Sequence, residues 1–490
     1  MSLINPAYNS TGDSILGKPF IFDEYAHVLC YYNSDFDASR DPGARNFWGE
    51  SIKYFWETMY NKQGYLGGAI WGTVDEVFLA PDAANGYGRW GIFDGWRREK
   101  PEHWNTKKAY SPIRIENKIY TLPASGQPLQ IDIANWFDHT DLDELDITWS
   151  TGALSGTGNI SLAPGGTTGI LDVHCGDLNI DDVVHLQFTL VRDELTLLVD
   201  EFNIRFSNPT ETLAISNTTA PVITQTATDI TVSGTDFSMK FSKGTGSLIE
   251  GQYLGETIIT GGPYLNLSPI SLQAFSLGSI TANVAGNIAT VDIAGSYDTI
   301  NASFSIQIDH NGTMAVDYDA ANIPSTYGKE VGLTFRLSDG IDQLSWDRNG
   351  LWSIYPADHI GRNRGTAIKE RSGPELIYRD EPLWSWSLDM KDFHAKGKDH
   401  AGYGMTNDFR SQKEYIKTAS AINRQTGLGV KVVPGDNLHA VRMQPGMPMS
   451  ENIVNNGDAA ITYNGSWTYY LDNGNYGGDE SFSLTADDYA

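Results

Sequence analysis

A short apolar strand that ends on two carboxylates is the first feature of this sequence that could do chemistry. In the stretch GKPFIFDEYAHVL, the apolar segment stops at Asp23 and Glu24, and His27 follows three positions after Glu24. Carboxylates at the end of a barrel strand are typical of catalytic sites, because the strand holds them rigidly. The alternative is that Asp23 and Glu24 only mark the point at which the strand reaches water. The elements around this stretch decide between the two interpretations.

Two strand–helix units occupy residues 1–112. The first strand leads to NFWGESIKYFWETMYNKQG, whose apolar residues recur every three to four positions and predict a helix that ends at Gly64. A second apolar strand, YLGGAIW, precedes Asp75 and Glu76, and KPEHWNTKKAY predicts a helix that begins at Pro101. Alternating strands and helices are typical of a (β/α)8 barrel. Because only two of the eight units are present, we predict an incomplete barrel.

The rest of the chain has the pattern of antiparallel β-sandwiches. Short alternating segments separated by Gly, Asn, Asp and Ser predict an immunoglobulin-like sandwich over residues 113–208. A Thr- and Asn-rich linker leads to a large β-sandwich over residues 221–446. Residues 447–490 indicate the start of another β-rich domain, for which carbohydrate binding is one option. We therefore predict a multidomain, mainly β protein that is part of a longer chain.

The amino-acid composition limits the classes of partner that the chain is expected to bind. The 490 residues include 61 acidic and 34 basic side chains, which give a formal net charge of −27. Such acidity disfavours binding to nucleic acids and to anionic membranes. No apolar run reaches the roughly 18 residues of a membrane-spanning helix, and MSLINPAYNSTGD lacks the pattern of a signal peptide. Cys30 and Cys175 fall in different predicted domains and have no metal-ligand spacing, so they predict neither a disulfide nor a metal site.

Several of these stretches resemble one enzyme family. KPFIFDEYAH, GYLGGAIWGTVDE and GIFDGWRREKPEHWNTKKAYSPI resemble the last two strand–helix units of the catalytic barrel of glycoside hydrolase family 2, and in particular of the large β-galactosidases. TDFSMKFSKGTGSLIEGQYLGETIITGGPYLNLSP and LSWDRNGLWSIYPADH resemble the C-terminal, small-chain sandwich of those enzymes. The resemblance extends from Lys18 to about residue 446. It implies the C-terminal portion of a retaining, exo-acting hydrolase of terminal β-galactosides.

The resemblance also implies roles for individual residues. Glu24 matches the nucleophile, which in a retaining glycosidase attacks the anomeric carbon while a second carboxyl, about 5–5.5 Å away, acts as acid and base. His27 matches a sugar-contacting histidine, and Trp71 matches an aromatic platform for a pyranose ring. Asp94 stands where the β-galactosidases have an asparagine that fixes the galactose C6 hydroxyl together with a sodium ion. Gly91 stands where they have an aromatic residue, so the galactose-specific site is not reproduced.

A missing carboxyl limits what the chain can do by itself. In the family, the acid/base glutamate precedes the nucleophile in an NE motif, and the 23 residues before Glu24 contain no glutamate. General acid catalysis is typically worth about 10²–10⁴-fold, so we expect this chain alone to be inactive. Family members often use Mg²⁺ and Na⁺, but no such site is evident in the sequence. Carbohydrate is the expected partner, and a homo-oligomer is one expected form of the intact enzyme.

Plainer interpretations remain open for most of these residues. His27 could be a structural histidine, Trp71 could be ordinary packing, and Asp75 could cap a loop. The later tryptophans are more typical of a core than of sugar platforms; they are Trp346, Trp352, Trp384 and Trp386. For the whole chain, the alternative is a non-catalytic carbohydrate-binding or scaffold protein built from β-sandwiches. The acidic, Thr- and Asn-rich composition slightly favours an extracytoplasmic location, either periplasmic or secreted, over the bacterial cytoplasm.

Overall fold

The fold is mainly β, with several separate sheets. The computed structural model describes residues 19–26, 41–79, 84–116, 119–206, 215, 218–268, 270–324, 326–328, 330–373, 376, 380–390, 404–434, 439–444, 447–453, 460–461, 469–471 and 488–489. Strands account for 48% of the structure and helices for 10%. The mainly β class predicted from the sequence is therefore confirmed, whereas the identity of each domain stays a prediction.

The first part of the chain, here called the strand–helix module, comprises the described residues between 19 and 112. Its elements are β1 (Phe20–Tyr25), α1 (Gly43–Tyr60), β2 (Tyr65–Ile70), β3 (Glu76–Leu79), β4 (Ala84–Gly88) and α2 (Pro101–Ala109). β1 and β2 pair in parallel, and β3 and β4 form an antiparallel hairpin. The predicted apolar stripe of α1 is buried, since Trp48, Ile52 and Phe55 belong to one hydrophobic cluster with Phe22 and Tyr25 of β1.

The second part, called the first sandwich, consists of two sheets that share one core and are antiparallel except for one parallel pair, β6 with β12. Its strands are β5 (Ile113–Arg114), β6 (Ile119–Tyr120), β7 (Leu129–Asn135), β8 (Leu145–Ser150), β9 (Ser155–Gly158), β10 (Thr167–Val173), β11 (Val183–Arg192) and β12 (Leu195–Phe206), with one 3-10 turn at Leu142–Glu144. The sheet orders are β10-β7-β5 and β6-β12-β11-β8-β9. Alternate residues of β7 point inward, so that Ile131 packs in the same cluster as Ile147 and Leu186 of the facing sheet.

The third part, called the large sandwich, begins at residue 218. Its elements are β13 (Val222–Gln225), β14 (Asp229–Ser233), β15 (Phe237–Ser242), β16 (Leu248–Tyr253), β17 (Glu256–Ser268), β18 (Ser276–Ala285), β19 (Ile288–Tyr297), β20 (Ile300–Ile308), β21 (Met314–Ala321), β22 (Thr326–Gly328), β23 (Glu330–Leu337), β24 (Gln343–Arg348), β25 (Arg364–Ile368), a 3-10 turn (Trp386–Leu388), α3 (Asn407–Arg410), β26 (Lys413–Glu414), β27 (Ile416–Ile422), β28 (Gly429–Val432), β29 (His439–Gln444), β30 (Met447–Ile453), β31 (Ala460–Ile461), β32 (Tyr469–Leu471) and β33 (Asp488–Tyr489).

A nine-stranded sheet organises the large sandwich. Its order is β13-β14-β15-β16-β17-β23-β30-β29-β26, and it shares a core with the five-stranded sheet β18-β19-β20-β21-β33. Smaller sheets have the orders β25-β24-β27-β28 and β22-β32-β31. Because β30 lies between β23 and β29, the domain boundary expected at residue 446 falls inside this sheet. The short strands β32 and β33 likewise pair with β22 and β21, although most of residues 454–490 lie outside the described part.

Buried polar contacts join the three parts. Lys108 of α2 donates to Asp200 of the first sandwich at 2.6 Å. The Trp104 indole of α2 donates to a carbonyl of the large sandwich, that of Ile354, at 3.1 Å. Arg205 of β12 pairs with Asp347 of β24 at 2.9 Å. The strand–helix module is therefore held against both sandwiches. Among the described residues, no helix is long and apolar enough to span a membrane.

Candidate functional site

The predicted nucleophile position and the predicted sugar platform lie at the same edge of the β1–β2 sheet. Tyr25, the last residue of β1, is opposite Ile70, the last residue of β2. Glu24 precedes Tyr25 and Trp71 follows Ile70, so parallel pairing brings both positions to the carboxyl ends of neighbouring strands. The backbone of Glu24 is described, but its side chain is outside the described part of the chain, as is all of His27.

Side chains from α1 and from the residue after α2 form hydrogen bonds with the end of β1. The buried Trp48 of α1 donates its indole N–H to the carbonyl of Ala26 at 3.1 Å, just after the strand. The Tyr25 hydroxyl is hydrogen-bonded to the hydroxyl of Tyr110, which follows α2. Burial raises the pKa of Tyr25 strongly and that of Tyr110 to about 12, so both hydroxyls stay protonated at neutral pH. These bonds fix the backbone next to Glu24 through two helices.

Trp71 presents an open aromatic face at this edge. Its side chain is 40% exposed, and its ring lies 6.5 Å from that of the buried Trp90, tilted by 55°. The Gly72 N–H donates to the carbonyl of Trp90 at 3.0 Å, which ties the segment after β2 to Trp90. The peptide bond between Trp71 and Gly72 is cis. A half-exposed indole supported by a buried one is a suitable surface for stacking a sugar ring. The sequence interpretation did not identify Trp90.

Asp94, for which the resemblance implies contact with a sugar, lies in the loop between β4 and α2. Its side chain is 0% exposed, and its Oδ1 accepts hydrogen bonds from the backbone N–H groups of Trp96 and Arg98 at 2.9 and 2.8 Å. Its Oδ2 accepts from Arg98 Nε at 2.7 Å. Asp94 therefore closes its own loop and presents no exposed oxygen to the C6 hydroxyl of a sugar. A guanidinium this close also disfavours a sodium ion, so Asp94 does not fit the cation site that the resemblance implies.

Asp75 and Gly91 are also structural. A Cβ added to Gly91 would lie 2.2 Å from the backbone nitrogen of Asp75, so no aromatic side chain fits there without movement of the backbone. The buried Asp75 carboxylate accepts from Lys100 Nζ at 2.7 Å and from the Gly91 N–H at 2.8 Å. Burial raises the pKa of Asp75, and the positive charge of Lys100 opposes this effect. The structural interpretation of Asp75 agrees with this geometry.

The loop that contains Asp94 is fastened to the large sandwich. Arg98 donates to both carboxylate oxygens of Asp389, at 2.8 Å each, in addition to its bond to Asp94. The Trp384 indole also donates to Asp389, at 2.8 Å. Asp389 is fully buried, and burial raises its pKa while Arg98 opposes the rise. Arg98 and Asp389 are 291 positions apart in sequence, so the local sequence does not indicate their contact.

The metal-binding capacity of the described residues and the likeness of the chain to known proteins both bear on the identity of the site. Within the described residues, no group of three or more His, Cys, Asp or Glu side chains is arranged to hold a metal ion. No family model matches the chain, and no curated protein matches it either.

Proposed function

We propose that this chain carries the nucleophile strand, the sugar platform and the C-terminal sandwiches of a retaining β-glycoside hydrolase of the β-galactosidase type. The observation that carries the proposal is the parallel pairing of β1 with β2, which puts Glu24 and Trp71 at one edge. In α/β barrels, the carboxyl ends of parallel strands form the active site. A carboxylate beside an aromatic platform is the arrangement that attack on the anomeric carbon of a stacked sugar needs.

In the proposed reaction, Glu24 attacks the anomeric carbon and the glycosidic bond breaks, leaving a glycosyl ester on Glu24. A second carboxyl protonates the leaving oxygen and then deprotonates the water that cleaves the ester. Among the described residues, Asp75 and Asp94 are the fully buried carboxylates nearest to Trp71 in sequence. Asp75 is paired with Lys100 and Asp94 with Arg98, at 2.7 Å each. Neither suits the acid role, so we propose that the acid/base group comes from a further barrel segment.

The alternative of a non-catalytic carbohydrate-binding protein has less support. Trp346, Trp352 and Trp386 of the large sandwich are all buried, so they do not form an exposed platform for sugars. Their indoles serve the core and the contacts between parts of the chain; Trp352, for example, donates to Asn105 of α2 at 2.7 Å. The half-exposed Trp71 lies next to the Glu24 position instead, as a hydrolase requires.

Covalent trapping tests the proposal. A fluorinated galactoside with a dinitrophenol leaving group needs little protonation, so it reports on the nucleophile separately from the acid. The experiment uses the whole protein that the gene for this chain encodes. This protein should be labelled on Glu24. Glu24→Gln should abolish labelling, because the amide is not a nucleophile. Glu76→Gln is the matched control, since Glu76 follows the neighbouring strand. A label on any residue other than Glu24, or labelling that survives Glu24→Gln, would refute the proposal.

A further inference from the structure

The pairing of β1 with β2 does not by itself fix the backbone at Glu24. The segment Phe22–Tyr25 of β1 is paired at its ends with the segment Gly68–Ile70 of β2, so four residues lie opposite three. An irregularity of this kind leaves one residue outside the ladder, and such features are common next to active sites. The extra residue falls in the stretch that contains Glu24. Contacts other than the sheet must therefore hold this part of the backbone.

The turn after β1 also needs support from its surroundings. Ala26, two positions after Glu24, has a φ of 47°, which lies in the left-handed region that residues with a Cβ rarely adopt. Such a conformation persists where the surrounding structure enforces it, and it is frequent at functional sites. Ala26 is fully buried, so its neighbours in the fold, and not water, determine this conformation.

Two side chains from outside the sheet make the required contacts. The indole of Trp48, which is 0% exposed, donates to the carbonyl of Ala26 at 3.1 Å. The hydroxyl of Tyr110 is hydrogen-bonded to the hydroxyl of Tyr25. These bonds hold the two residues that directly follow Glu24. They act at the point where the ladder between the strands is irregular.

The helix that carries Trp48 is itself fixed. Arg45 of α1 pairs with Glu102 of α2 at 2.7 Å, and both side chains are buried. The Asn105 amide of α2 donates to the carbonyl of Asn46 of α1 at 3.2 Å. Because these bonds hold α1 against α2, Trp48 is a donor whose position does not depend on the strand that it contacts. Support of this kind is what the precise placement of a reacting group requires.

We propose that Trp48 and Tyr110 are positioning residues for Glu24, which hold the end of β1 so that the carboxylate is aligned with the anomeric carbon. This inference rests on the proposed role of Glu24 as the nucleophile. A misplacement of about 1 Å can slow a reaction about 10²-fold, because the reacting atoms must be aligned. In this role neither residue contacts the sugar. Their removal should therefore slow the chemical step and leave sugar binding intact.

Covalent trapping measures binding and chemistry separately. The fluorinated dinitrophenyl galactoside, added at increasing concentrations to the whole protein that the gene encodes, gives a maximal rate of labelling and a half-saturating concentration. Trp48→Phe keeps an aromatic ring but removes the N–H group. We expect its maximal rate to fall at least about tenfold, with less than about a twofold change in the half-saturating concentration. Tyr110→Phe removes only a hydroxyl, and we expect its maximal rate to fall at least about threefold.

Trp346→Phe is the matched control. It also removes a buried indole N–H, which donates to the backbone carbonyl of Arg362 at 2.8 Å within the large sandwich. We expect this variant to be labelled at the rate of the parent protein, because its lost bond lies away from β1. Labelling of Trp48→Phe at the parental rate, an equal fall in Trp346→Phe, or a change only in the half-saturating concentration would overturn the inference.

Two further measurements keep the outcome decisive. Far-UV spectra and urea denaturation show whether each variant is folded. If Trp48→Phe does not fold, the milder Tyr110→Phe decides, and labelling of that variant at the parental rate would overturn the inference. Failure of the parent protein to be labelled on Glu24 would instead refute the proposed function, and this inference with it. Parental labelling on Glu24 with unchanged rates in both variants would refute the positioning role alone.

Discussion

At the scale of single residues, exposure separates the side chains that can meet a ligand from those that hold the fold. Trp71 and Trp90 are neighbours in space, yet Trp71 is 40% exposed and Trp90 is 2% exposed. The sequence contains both as similar aromatic residues near a strand end, and no periodicity distinguishes them. Asp94 is a comparable case, because a carboxylate predicted to face a sugar is buried in its own loop. In each case the exposure of the side chain depends on neighbouring residues that the local sequence does not specify.

The two tryptophans should respond differently to truncation. Trp71→Ala should leave the free energy of unfolding nearly unchanged, and in the active protein it should raise KM at least as much as it lowers kcat, because stacking acts in both the ground and transition states. Trp90→Ala should cost about 3–5 kcal/mol, as expected for a large buried aromatic side chain. Urea denaturation and steady-state kinetics of the intact enzyme measure these effects. Equal destabilisation by both substitutions would contradict the assignment of Trp71 to the sugar.

Asp94→Asn tests whether Asp94 is structural. The amide can still accept from the backbone N–H groups of Trp96 and Arg98, but it loses the charge that faces the Arg98 guanidinium at 2.7 Å. We expect a loss of about 1–3 kcal/mol in urea denaturation and no change in the preference between galactosides and other β-glycosides. A switch in sugar preference without a loss of stability would instead show that Asp94 contacts the substrate.

At the scale of elements, the sequence predicts the type of each element better than its ends. The apolar spacing predicts α1 correctly, but the helix spans Gly43–Tyr60 and not residues 46–64. At the beginning of the helix, Asp41 Oδ1 accepts from the Gly43 N–H at 2.8 Å and also from the Gln412 N–H at 2.9 Å. The residues that precede α1 thus contact a residue 371 positions away, which the local sequence does not indicate. Periodicity predicts both α1 and the sandwich strands, because each of these elements buries one face: apolar residues recur every three to four positions in α1 and alternate along the strands. The position of β30 between β23 and β29 has no comparable local signal.

The short strand β26 should make stability depend on pH. Burial raises the pKa of Glu414 from 4.5 to about 8; Arg348 opposes the rise, and Glu50 and Asp41 add to it. The folded state therefore keeps a proton that the unfolded chain releases between pH 4.5 and 8, so the free energy of unfolding falls as pH rises through this window.

Glu414→Gln removes that titration while keeping the shape of the neutral side chain. We expect the variant to match the parent near pH 4.5 and to exceed its free energy of unfolding by about 5 kcal/mol above pH 8. Urea denaturation across this range measures the difference. The exposed Glu381→Gln is the control and should leave the pH dependence unchanged. Parallel pH profiles for Glu414→Gln and the parent would show that Glu414 ionises normally in the folded chain.

At the scale of the whole molecule, α2 is one of the elements that connect the three parts. It contacts the first sandwich through Lys108 and the large sandwich through Trp104 and Asn105. Parallel sheets are normally covered on both faces, yet Ile21 of β1 and Leu66 of β2 are 63% and 67% exposed. The helices of the strand–helix module therefore contact the sandwiches, whereas one face of its β1–β2 sheet is exposed. We expect the local stability of the helices to be higher than that of the sheet.

Hydrogen exchange should reveal this difference in protection. Amides of α2 should exchange as slowly as those of the large sandwich, because α2 opens only when its buried contacts break, whereas amides of β1 and β2 should exchange faster. Trp352→Phe keeps an aromatic ring but removes the N–H that donates to Asn105 at 2.7 Å, so it should speed exchange in α2. Trp346→Phe is the matched control, since the Trp346 indole donates to the backbone carbonyl of Arg362 at 2.8 Å within the large sandwich. It should affect that sandwich and leave the difference between α2 and the β1–β2 pair intact. If β1 and β2 exchanged as slowly as α2, or if both substitutions changed α2 equally, the contacts of α2 with the sandwiches would not explain its protection.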